Sequence, residues 1–139
     1  NMVEKLIIKS LEEPAWEVIG GGISAFNKEM AGDDQGKNLC FVLENPEGEV
    51  LGGVIGVTFW NWLFINLMWL PEELRGKGYG QQLLEMAEEE GRKRGAQYSY
   101  LDTFSFQAPG FYQKSGYQEF GRLEDFPPGH TRYFMMKGL

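Results

Sequence analysis

The sequence predicts a single α/β domain, and three observations carry that prediction. The chain has 139 residues, 42% of them hydrophobic and 14% aromatic, enough for one substantial core and too few for two ordinary domains. Apolar residues recur at helical spacing in long stretches and alternate or run on continuously in several short ones. The most apolar stretch, Leu63 to Leu70, runs into a glycine-rich turn and then a long amphipathic segment. Met2 reads as a natural start with Asn1 left over ahead of it, so the domain is expected over residues 2–139.

Taken in order, Val3 to Lys9 is expected as a first strand around Leu6, Ile7 and Ile8. Pro14 suits the first turn of a helix, and Trp16, Ile19, Ile23 and Phe26 then recur at spacings of three and four on one face. Gly20-Gly21-Gly22 is expected to break or hinge that helix; no strand precedes it and no Lys-Ser/Thr follows it, so it is not a phosphate loop. Leu39 to Glu44 and Glu49 to Phe59 form a hairpin across the tight turn Asn45-Pro46-Glu47-Gly48. After Trp60-Asn61-Trp62, the run Leu63 to Leu70 is apolar enough to be expected at the centre of the sheet, buried on both faces.

Pro71-Glu72-Glu73-Leu74 leads into the glycine segment and a helix to about Arg94, with Leu83, Leu84, Ala87 and Gly91 on one side. Glu85, Glu88, Glu89 and Glu90 precede Arg92, Lys93 and Arg94, which partly complements the helix dipole, and Gly95 is a natural residue to follow the C-cap. Tyr98 to Thr103 reads as a strand, Ala108 to Ser115 as a short helix ended by Gly116, and Tyr117 to Leu123 and Arg132 to Lys137 as the last strands. The polar loop Glu124 to His130 separates those two. The predicted order is β, α, β, β, β, α, β, α, β, β, without repeats or linkers.

Lys and Arg number 13 against 20 Asp and Glu, for a net charge of -7, and the cations form no tract. That excludes a nucleic-acid or anionic-membrane surface, which needs a basic patch, and it suits a cationic partner such as an amine. Cys40 is alone, so no intrachain disulfide or cysteine zinc framework exists; within Leu39 to Leu43 it is expected to be a buried, inert thiol. No run approaches the ~18 apolar residues of a membrane span, and no leader-like segment opens the chain. A cytoplasmic location is expected. His130, the single histidine, cannot build a metal site alone, and no metal is expected.

A strand, a glycine turn and a helix together form a recipe for holding phosphate, because free amides and the positive end of the helix dipole converge there. The dinucleotide fingerprint fails here, since Gln81 stands where its third glycine belongs, and no triphosphate loop is present. Arg75-Gly76-Lys77-Gly78-Tyr79-Gly80 resembles instead the pyrophosphate motif Arg/Gln-x-x-Gly-x-Gly/Ala of the GNAT acetyltransferases. The likeness extends over nearly all of Leu39 to Lys137 and includes Ala108-Pro109-Gly110-Phe111-Tyr112-Gln113-Lys114-Ser115-Gly116-Tyr117, similar to the family's pattern of Ala, Phe-Tyr, then Gly and an aromatic.

The resemblance implies a mixed, mostly antiparallel central sheet flanked by helices, with acetyl-CoA in a cleft between two splayed central strands. It implies that the pyrophosphate sits on Arg75, Gly76, Lys77, Gly78, Tyr79 and Gly80, and that the bulge and parting fall at Met68, Trp69 and Leu70, whose backbone would face the pantetheine arm. Tyr112 matches the family's general acid. Gln107 stands where several relatives carry an asparagine that contacts CoA. Asn66 occupies the position where some relatives place a glutamate base, so Asp102 is the remaining carboxylate candidate, with a structural acceptor role as its alternative. Glu124 and Asp125 are candidates for binding a cationic acceptor, and Trp60, Trp62, Phe104 and Phe106 for either an acceptor channel or core. The implied activity is transfer of acetyl to a primary amine of a small molecule, peptide or protein; a non-catalytic CoA-binding sensor is the alternative, and a homodimer is compatible with the chain.

Overall fold

The computed structural model describes residues 4–139. The chain falls into two compact units, Asn1–Asp34, described from residue 4, and Gln35–Leu139.

In the first unit, helix α1 spans Trp16–Ala31. Gly20, Gly21 and Gly22 do not interrupt it, contrary to the expected break. Glycine within a helix costs about 1 kcal/mol relative to alanine, but it keeps its N–H and leaves the i→i−4 ladder whole. The helix stops at Gly32, whose N–H donates to the Lys28 carbonyl at 2.9 Å. No residue of α1 is buried. The expected first strand does not form: residues 4–9 have no regular secondary structure, and Val3 lies outside the described residues. Leu6, Ile7 and Ile8 are exposed, and strand-favouring side chains make no strand without a neighbour to pair with.

The second unit holds one sheet of six strands, β1 (Lys37–Glu44), β2 (Val50–Phe59), β3 (Trp62–Trp69), β4 (Tyr98–Phe104), β5 (Gln118–Glu124) and β6 (Thr131–Gly138), in the order β1-β2-β3-β4-β6-β5. Every neighbouring pair is antiparallel except β3 and β4. A parallel pair needs a crossover, and α2 (Tyr79–Lys93) supplies it after a 3-10 turn at Glu72–Leu74; α3 (Pro109–Lys114) follows β4. The sheet is therefore mixed and mostly antiparallel, as expected.

The β1–β2 turn is organised by Asn45, whose side-chain oxygen accepts the N–H groups of Glu47 at 3.1 Å and Glu49 at 2.9 Å. Leu83, Leu84, Ala87 and Gly91 of α2 are buried against the sheet. A Cβ on Gly91 would stand 3.2 Å from a Leu63 methyl, so glycine there sets how closely helix and strand approach.

Two burial expectations change. Cys40 is exposed: along β1, Leu39 is buried and Phe41 and Leu43 are half-buried, while Cys40 and Val42 point to the other side. The two-residue period of a strand was hidden by a run that is apolar at every position. Likewise only the first half of β3 is covered; Leu63 and Ile65 are buried, but Leu67 and Trp69 are exposed, because the sheet opens there.

Candidate active site

Strand β3 pairs with β4 only through Trp62↔Tyr98, Leu63↔Ser99 and Phe64↔Tyr100. Beyond Phe64 the strands part. On its other edge β3 carries a bulge at Asn66, since Ile55 faces Leu67 while Gly56 faces Ile65. The extra residue bends the strand and so turns its C-terminal half away from β4. The bulge thus sits at Asn66, upstream of the expected Met68-Trp69-Leu70. From Ile65 onward, the β3 backbone groups that point away from β2 have no strand partner on that side.

A cleft of about 630 Å³ fills the opening. Met68, Trp69, Leu70, Arg75, Gly76, Gly78, Gly80, Asp102, Gln107 and Tyr112 all line it, as do Phe104 and Phe106. Lys77 and Tyr79 belong to the same turn but are not among the lining residues. Glu124 and Asp125 are not among them either; the Asp125 carboxylate accepts the Gly129 N–H at 3.1 Å and so closes its own loop. Trp62 is stacked on Tyr98 at 4.8 Å, and neither it nor Trp60 reaches the cleft.

At one end of the cleft, Gly78 at φ +89° and ψ -3° turns the chain into α2. That left-handed conformation is open to glycine and strained by about 1–2 kcal/mol for other residues. No side chain caps α2, so its first-turn amides and its positive dipole end are left for a ligand. Arg75 fixes the approach to this turn: its side-chain Nε donates to the Leu70 carbonyl at 2.8 Å. The side chain thereby ties the end of β3 to the turn, a role the sequence did not indicate.

Tyr112 is buried on α3, with its ring edge-on to Phe111 at 5.1 Å and to Tyr117 at 6.1 Å. Its hydroxyl makes no hydrogen bond among the described residues. Burial first, and the charge of Asp102 second, push its pKa above the usual tyrosine range, so it carries its proton at neutral pH. Gln107 is turned back on β4, its side-chain oxygen accepting the Phe104 N–H at 2.9 Å and the Thr103 hydroxyl at 3.2 Å. One oxygen of Asp102 is held by Arg132, which donates from Nε at 2.9 Å and approaches through Nη2 at 2.8 Å; Oδ2 is without a partner among the described residues.

A buried polar cluster supports α3 from behind. Glu88, 3% exposed, accepts the Tyr117 hydroxyl at 2.9 Å and the Lys137 ammonium at 2.9 and 3.1 Å. The same ammonium donates to the carbonyl of Ser115, just past α3, at 2.8 Å, and the Tyr117 N–H donates to the Tyr112 carbonyl at 3.0 Å. The Tyr117 phenol also lies 2.8 Å from the Ser99 hydroxyl; burial above all raises its pKa far beyond the ordinary range. In the sequence Glu88 stands in a row with Glu85, Glu89 and Glu90, read only as complementing the helix dipole. Only the packing of α2 on the sheet selects it, by bringing it to Tyr117 and to Lys137, which is 49 residues away.

Residues 7–117 match the sequence model of a family described as the acetyltransferase (GNAT) family. The chain belongs to the GNAT acetyltransferases. It is 41% identical over 93 residues to a protein described as blasticidin-S acetyltransferase, from Streptomyces morookaense, covering 66% of this chain and 68% of that one. It is 33% identical over 123 residues to Acetyltransferase Atu2258 of Agrobacterium fabrum, covering 88% and 90%. The crystal structure of an acetyltransferase from Bacillus cereus superposes with a TM-score of 0.87 at 36% identity, over 94% of this chain and 98% of that one. The mixed, mostly antiparallel sheet with its helices is therefore that of a GNAT acetyltransferase fold.

Among the described residues no helix is long and apolar enough to cross a membrane, and no group of three or more His, Cys, Asp or Glu could hold a metal ion.

Proposed function

We propose that the protein transfers the acetyl group of acetyl-CoA to a primary amine by direct attack, with Tyr112 as general acid. One observation carries this reading: a single cleft joins an uncapped helix N-terminus, a strand edge without a partner and a protonated phenol that makes no hydrogen bond among the described residues. Anionic phosphates suit the α2 terminus, and the free edge of β3 suits an extended amide-bearing arm such as pantetheine. A family whose members transfer acetyl groups, one of them named for a small-molecule antibiotic acceptor, supports the same assignment.

In the proposed step the neutral amine attacks the thioester carbonyl carbon and its electrons move onto oxygen. A backbone N–H of Met68, Trp69 or Leu70 stabilises that oxyanion. Collapse restores the carbonyl and breaks the C–S bond; the thiolate takes the Tyr112 proton, and the nitrogen loses one to water. Asp102 Oδ2 accepts a hydrogen bond from the incoming amine and orients it.

The test combines thiol release from acetyl-CoA across an amine panel with equilibrium binding of CoA. Turnover with at least one amine is expected; CoA binding without turnover would instead establish a sensor. Gly78→Val should weaken CoA binding at least tenfold in a protein that still folds. A Cβ at Gly78 meets no protein atom within 4 Å, so valine finds no steric block in the core, and it acts by obstructing the ligand and by the strain of about 1–2 kcal/mol that the positive φ places on the turn. Unchanged CoA affinity in folded Gly78→Val would remove the turn from the site.

A further inference from the structure

We propose that Phe106 is a stacking platform that selects acceptors carrying a planar, unsaturated ring, an inference that rests on the acetyl-transfer reading above. Phe106 lines the cleft and is 57% exposed. A phenyl ring left in water forgoes much of the stabilisation that burial gives, and this one is held in place from two sides. Its ring lies parallel to that of Phe104, 7° apart in plane and 5.3 Å between centroids. The imidazole of His130 meets it edge-on at 5.0 Å and 76°.

The ring beneath it is fixed in turn. Phe104 packs against Phe126 at 5.8 Å, and the Arg132 guanidinium lies 5.5 Å from the Phe104 ring and 5.2 Å from that of Phe126. Arg132 is itself held by Asp102. An offset aromatic stack on a rigid base is completed by a further planar group placed parallel to it. The same cleft contains the Asp102 Oδ2 oxygen, an acceptor for the N–H of an amine attached to that ring. Flat ring and amine thus have complementary partners among the residues that line one cleft, Phe106 for the one and Asp102 for the other.

The experiment compares 2-phenylethylamine with 2-cyclohexylethylamine, which match in size and chain length and differ in planarity. The parent protein should favour the phenyl compound by about two- to tenfold in kcat/KM, the range an aromatic stack supplies. In Phe106→Leu that ratio should fall to about one, while the KM for acetyl-CoA stays at the parent value. A ratio unchanged in Phe106→Leu overturns the platform. So does a raised KM for acetyl-CoA, which would assign the ring to the acyl donor. If the parent binds acetyl-CoA but acetylates neither amine, the platform falls while the donor site stands; if acetyl-CoA does not bind, the acetyl-transfer reading itself fails.

Discussion

Lys137→Met should destabilise the fold by about 3–5 kcal/mol, the loss expected when one partner of a buried ion pair is removed. The Glu88 carboxylate, 3% exposed, would keep only the Tyr117 hydroxyl among its present partners, and the Ser115 carbonyl would lose its donor. Chemical denaturation measures the loss. Adding Glu88→Gln to the variant removes the buried charge, keeps an acceptor for Tyr117, and should restore much of the stability. A Lys137→Met protein within about 1 kcal/mol of the parent would show that the carboxylate is stabilised by other means.

For Tyr112→Phe the expected result is a turnover rate lowered about 100-fold, near 2.7 kcal/mol in the barrier, with CoA affinity and stability close to the parent. The hydroxyl has no partner among the described residues, so its removal strands no buried group there, and the phenyl ring keeps its contacts with Phe111 and Tyr117. The loss should shrink with an acyl donor whose thiol is more acidic, because a better leaving group needs less protonation. The pH profile supplies a second signature. A general acid must hold its proton, and a pKa raised by burial and by Asp102 keeps the proton on to higher pH, so the parent's alkaline limb should begin above about pH 10. Tyr112→Phe should lack that limb. A variant that turns over like the parent when chemistry limits the rate would reassign the proton to water.

These two variants probe opposite sides of α3. Lys137 and Tyr117 grip the chain just past the helix and the carbonyl of Tyr112, so the buried cluster also orients the phenol that faces the cleft. Stability and the geometry of the acid therefore share one set of hydrogen bonds.

Local features determined much of this protein within the chain itself. The glycine turn, the amphipathic helix after it and the tyrosine segment each announce themselves within a few residues, because left-handed backbone, helical periodicity and helix ends are short-range properties. Hence the hairpin, α2, β4, α3 and the closing strands were legible, whereas a cleft shared by Met68, the glycine turn and Tyr112 was implied only by the family resemblance. Features that depend on partners distant in the chain were not. Apolar composition could not show that Leu6 to Ile8 find no strand to join, that Cys40 lies on the exposed side of an edge strand, or that the sheet opens past Phe64. The bulge at Asn66 is a property of the β2–β3 register, and Asp102 acquires its arginine only when β4 pairs with β6. Glu88 differs from Glu85, Glu89 and Glu90 in nothing but the direction it faces once α2 is packed. Tertiary structure alone makes that distinction, because burial converts one carboxylate of a row from a solvated charge into the centre of a hydrogen-bonded cluster.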